Sequence, residues 1–195
     1  MATRNDFSPE QWQALRNAPQ LVALATAAAG NSGLFGSLSE GMAMASTIAE
    51  TLRGQQPLLK EVFAKDEMKA AQEQIKTSLK SVTDRASLNS YLQKAATDAV
   101  QAALSALTAK GAGADADAFR TMLTGIGEKV ANASTEGGFL GFGGERVSEG
   151  ERQFLAQLNT VIGTQHASKR ATTSLNPLQK VKERTFYARI AQRPK

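Results

Sequence analysis

Apolar residues recur at steps of three and four through most of the chain, and no run alternates with the two-residue period of a half-buried strand. That pattern restricts the fold to packed helices. With 33 alanines among 195 residues and only 6% aromatic, such helices must close on small side chains. The length is enough to bury a real core. The expected class is all-α, a bundle of about seven helices.

Start and stop signals divide the chain. Ser8 is placed to cap a helix, with Pro9 at its first position and Gln11 completing a capping box. Phe7 and Trp12 fit a hydrophobic staple across that cap. Pro19 is expected to break or restart the helix, and Gly30 to end the alanine-rich segment after it. After a glycine-rich loop, Ser37 and Glu40 form a second capping box. The stripe Leu38, Met42, Ala45, Ile48, Leu52 follows it, up to Gly54. Pro57 opens a long segment with the stripe Met68, Ala71, Ile75, Leu79, Val82. Beyond a break at Thr83-Asp84, Leu88, Tyr91, Leu92, Ala95, Ala99, Ala103, Leu104 and Leu107 mark a second long helix. Residues 57–110 therefore read as a long helical hairpin. Gly111 to Asp115 is the expected hinge, with Asp115 capping a helix that carries Phe119, Met122, Leu123, Ile126 and Val130. Ser148 and Glu151 make a third capping box, ahead of Phe154, Leu155, Leu158 and Ile162, and Gly163 is the expected stop.

The formal net charge of +5 hides an asymmetry. Residues 1–163 hold 15 basic and 17 acidic side chains. Residues 164–195 hold eight basic side chains against Glu183 alone. A nearly neutral bundle (1–163) thus ends in a basic arm (164–195), partly helical from Asn176-Pro177 to about Ala191. Lys169, Arg170, Lys180, Lys182, Arg184, Arg189, Arg193 and Lys195 supply the charge, and Phe186-Tyr187 supply aromatic anchors among them. A cationic segment of this kind suits an acidic protein surface first, and nucleic acid or an anionic membrane surface as alternatives. Its bland counterpart is a solubilising tail.

Two stretches echo each other. Val22-Ala23, Leu34-Phe35-Gly36 and Leu38-Ser39-Glu40-Gly41 are followed about 108 positions later by Val130-Ala131, Gly141-Phe142-Gly143 and Val147-Ser148-Glu149-Gly150. Pseudo-repeats at about 11–54 and 118–163 would then flank the hairpin, giving approximate internal duplication. The second copy, from Val130 to Ile162, resembles the TerB-like helical fold of tellurite-resistance and stress proteins, through a helix, an acidic-glycine loop and Val-Ser-Glu-Gly-Glu-Arg-Gln-Phe-Leu opening the next helix. In that family, loop and helix carboxylates hold a metal. The resemblance implies Glu136, with Glu149 or Glu151, as the matching candidates. Structural use competes with that role, since Glu151 is the partner of Ser148 and Glu149 suits the helix dipole.

The glycine loops lack the Gly-Lys-Ser/Thr ending of a phosphate loop and follow no strand. The expected role of their glycines is to let aromatics turn back into the bundle. Leu34, Phe35, Phe139, Leu140 and Phe142 are also candidate contacts to a partner or to a second copy of the chain. The chain has no Cys and one His, His166 in the arm, and no grouping of nucleophile, base and orienting acid has an interpretable spacing. The most apolar stretch, Leu21–Ala29, is far short of the about 20 residues that span a bilayer, and the amino-terminal residues do not read as a signal peptide. The expectation is a cytoplasmic, non-catalytic scaffold or adaptor without cofactor, docking through its arm onto a larger acidic assembly. The alternatives are a TerB-like carboxylate metal-binding stress protein and a nucleic-acid-binding accessory protein.

Overall fold

The computed structural model describes residues 1–30, 54, 56–82, 84–136 and 147–173, with the backbone alone for 85, 133–136 and 164–173. The chain is all-α. Among the described residues, a 3-10 turn at Arg4–Asp6 precedes six helices: α1 (Pro9–Ala29), α2 (Pro57–Val62), α3 (Lys65–Leu79), α4 (Arg85–Ala109), α5 (Gly113–Glu136) and α6 (Glu149–Thr173). Packing divides the chain into Met1–Ile162 and Gly163–Lys195. The first of these units holds the core.

The amino-terminal signals operate as the sequence dictates. Gln11 donates its amide N–H to Ser8 Oγ at 3.3 Å, and Gln11 Oε1 accepts from the Ser8 amide at 3.0 Å. The Phe7 and Trp12 rings lie 6.1 Å apart, closing the staple. Asp84 caps α4 by accepting from the Ser87 amide at 2.9 Å. At the start of α6, Ser148 Oγ accepts from the Glu151 amide while Glu151 Oε2 accepts from the Ser148 amide at 2.9 Å.

Helix α1 is the axis of the bundle. Every residue from Asn17 to Ala27 is buried, as expected of a helix apolar all round. It packs most extensively on α4, then on α5 and α3. Two of its buried side chains bond to backbone carbonyls: Gln20 Nε2 donates to the Met68 carbonyl at 3.2 Å, and Thr26 Oγ1 donates to the Val22 carbonyl at 2.8 Å. Helix α6 adds Phe154, Leu158 and Ile162 to the core. Glycines set its approach. A Cβ at Gly127 of α5 would stand 2.7 Å from Leu155 Cδ2, and one at Gly150 only 2.3 Å from the carbonyl oxygen of Ala29.

Several expectations are corrected. Pro19 does not interrupt α1. A proline inside a helix costs about 3 kcal/mol, and burial of the whole surrounding segment outweighs it. The segment opened by Pro57 is two helices, because the chain turns at Phe63-Ala64 and seats Phe63 in the core. The buried face of α4 is Leu92, Ala96, Val100, Ala103, Leu104, Ala106 and Leu107. It is rotated from the expected stripe because α4 packs on both α1 and α5. Tyr91 is left 38% exposed. Helices α3 and α4 each pack on α1 far more than on each other, so the expected hairpin is splayed across α1. Asp115 is not a cap; it sits in the first turn of α5, 3% exposed. Gly163 does not end α6, which continues to Thr173. Glycine in a helix interior costs only about 1 kcal/mol. Among the described residues, the glycines that adopt positive φ are Gly54 (55°) and Gly111 (67°), where the chain turns.

Candidate functional site

The loop contacts Leu34, Phe35, Phe139, Leu140 and Phe142, the glycine-loop halves of the internal echo and the helix expected from Ser37 lie outside the described residues. So do Lys180, Lys182, Arg184, Phe186, Tyr187, Arg189, Arg193 and the helix expected from Asn176. Lys169 and Arg170 stand on the helical backbone of α6, and Glu136 is the last residue of α5.

The two other carboxylates singled out by the sequence have local partners. Glu151, 1% exposed, is held by Ser148, whose hydroxyl also donates to its Oε2 at 2.8 Å. Glu149 Oε2 accepts from Arg152 Nη2 at 3.0 Å and its Oε1 from Gln153 Nε2 at 2.9 Å. Hydrogen bonding from Arg152, then Gln153, holds the Glu149 carboxyl below its usual range. Among the described residues, no group of three or more His, Asp or Glu side chains is arranged to hold a metal ion. No described helix is long and apolar enough to cross a membrane.

Sequence reasoning missed a charged cluster at the amino-terminal end of the body. Glu67, in the first turn of α3 and 5% exposed, accepts from Arg4 Nη1 and, at 3.2 Å, from Arg16 Nη1. Arg16 Nη2 continues to Gln74 Oε1 at 3.0 Å, which also accepts from Asn17 Nδ2 at 3.2 Å. The Arg4 guanidinium lies 5.7 Å from the centre of the Trp12 ring, within cation–π range. Glu61 Oε2 accepts from the Arg4 amide at 2.8 Å, so the 3-10 turn is pinned to α2 and α3 together. These partners lie 51 to 63 residues apart in sequence, beyond the reach of any local pattern. What the arrangement does chemically is neutralise a buried carboxylate with two guanidinium groups and lock the chain start onto three helices.

Within Met1–Ile162 other charges are also matched near home: Lys94 with Asp98 at 2.6 Å, Arg120 with Asp117 at 2.7 Å and Lys76 with Glu73 at 3.4 Å. The body therefore presents interleaved charge of both signs, and the cationic excess belongs to residues 164–195. Comparison with protein-family models, curated proteins and solved structures gives no match, so the functional reading rests on this molecule's own chemistry.

Proposed function

We propose that the protein is a non-catalytic helical scaffold that docks through its basic carboxy-terminal arm onto a larger assembly with an acidic surface. The observation that carries this reading is the charge partition: eight cations against one anion in residues 164–195, beside a body with two more acidic than basic side chains. A local excess of one sign raises encounter rates with the opposite sign and is weakened by salt. Phe186 and Tyr187 supply the apolar anchors that a purely electrostatic tether lacks. The same reading takes 11–54 and 118–163 as degenerate repeats that build the scaffold around residues 57–110.

The test is affinity isolation of the full chain against a chain ending at residue 173, with and without nuclease. A protein partner recovered at low salt by the full chain alone, whether or not nuclease is added, supports the tether. Equal recovery by both chains would rule it out. A partner lost on nuclease treatment would transfer the arm to nucleic acid.

A further inference from the structure

Asp115 lies in the first turn of α5, 3% exposed, and its Oδ2 accepts from the Ala2 amide at 2.8 Å. Its Oδ1 is buried and meets no donor among the described residues. No described lysine or arginine forms an ion pair with it. Glu67, buried to a similar degree, has two guanidinium groups. A carboxylate held out of water with a single neutral donor is costly. The atom best placed to supply a positive charge is the Ala2 nitrogen, which one peptide bond keeps neutral. That bond joins unlike neighbours. Met1 is 91% exposed, whereas Ala2 is 7% exposed and belongs to the hydrophobic core. The hold of the chain start on the body therefore begins at Ala2. Alanine is also small, and aminopeptidases that remove a leading methionine act where the next residue is small.

We propose that the Met1–Ala2 bond is a processing site, and that the α-ammonium of Ala2 then pairs with Asp115 inside the body. A methionine aminopeptidase supplies the step, with water as co-reactant. The bond between the Met1 carbonyl carbon and the Ala2 nitrogen breaks. The oxygen of the water ends in the carboxylate of free methionine, and both its protons end on the Ala2 nitrogen. An α-amino group is mostly protonated at neutral pH. One N–H donor thus becomes three, enough to serve Oδ1 as well as Oδ2, and each bond gains from the charge. Burial of Ala2 in the folded body requires that removal precede docking of the chain start. Every group involved belongs to Met1–Ile162, so the assignment is independent of the arm.

The experiment starts with the intact mass of the untagged full chain isolated from its own cells. A chain that begins at Ala2 with a free α-amine is expected. Retained Met1, a start upstream of it or an acetylated Ala2 would overturn the proposal. The full chain is then prepared in two forms, processed and with Met1 retained by an aminopeptidase inhibitor, and each is unfolded in urea. The processed form should show a folding constant about tenfold larger. In Asp115→Asn the two forms should be equally stable. Equal stability of the wild-type forms, or a gain that persists in Asp115→Asn, would overturn the pairing. Reductive methylation gives a readout that does not depend on that variant folding. The Ala2 amine of the processed wild-type chain should react at least about tenfold more slowly in the native state than in urea. Equal rates would likewise overturn the pairing.

Discussion

The backbone amide of Ala2 donates to Oδ2 of Asp115 at 2.8 Å, a buried bond between residues 113 positions apart. It seats the chain start on the first turn of α5, where a carboxylate also meets the positive end of the helix dipole. Asp115→Ala should destabilise the body by about 1–3 kcal/mol through the stranded Ala2 donor. Asp115→Asn keeps an acceptor and should lose less. Urea unfolding of the two variants measures the difference, and equal losses would show that the Ala2 bond is not what Asp115 contributes.

Glu67 makes a second prediction. Removing one member of a buried ion pair leaves the other uncompensated, a loss of about 3–5 kcal/mol. Glu67→Ala should approach that range, because the Arg16 side chain is only 19% exposed. Arg4→Ala should cost about 1 kcal/mol or less, since its side chain is 58% exposed and Arg16 remains to match Glu67. Chemical denaturation should therefore rank the two variants far apart. Similar losses would contradict the geometry.

Three glycines form a graded series. Gly150→Ala would drive a Cβ into the Ala29 backbone, which cannot swing aside, so a loss of about 1–3 kcal/mol or more is expected. At Gly127 the obstacle is the Leu155 side chain, 2.7 Å from the added Cβ and able to change rotamer, so the loss should be smaller. Gly163→Ala meets nothing within 4 Å and should stabilise α6 by about 0.5–1 kcal/mol through helix propensity. Thermal unfolding of the three variants should reproduce that order.

Acid sensitivity has a defined sign. Hydrogen bonding from Ser87 holds the Asp84 carboxyl below its usual range, and bonding within its own turn, Thr3 first, does the same for Asp6. A folded-state pKa below the unfolded value contributes stability that is present above the unfolded pKa and is lost as pH falls through the folded one. Asp84→Asn should therefore lower the urea midpoint near neutral pH and narrow its gap from wild type at about pH 3. A gap that widens on acidification would contradict the capping assignment.

These predictions also show where the sequence was readable. Capping at Ser8 and Ser148 involves partners three residues away, so local pattern suffices to find it, whereas at Asp84 the sequence reading gives a break and the cap comes from the structure. The buried faces of α5 and α6 follow the helical period for the same reason. Pro19 reads as a break because its cost is local, while its compensation is tertiary. Asp115, Glu67 and Asn17 each owe their position to groups dozens of residues away, so their spacing carries no signal. Of the candidate site, the charge excess is legible as composition alone, because composition does not depend on where the side chains are placed.

The most direct test of the tether places a photo-crosslinking amino acid at Phe186 or Tyr187 in cells, with Ala102 on the exposed face of α4 as the reference position. The expected result is an adduct at 186 or 187 on a protein whose crosslinked peptides are acidic, diminished by high salt and missing from the Ala102 reference. Adducts at 186 and 187 only to the chain's own residues 1–162, or none at either position, would contradict the account.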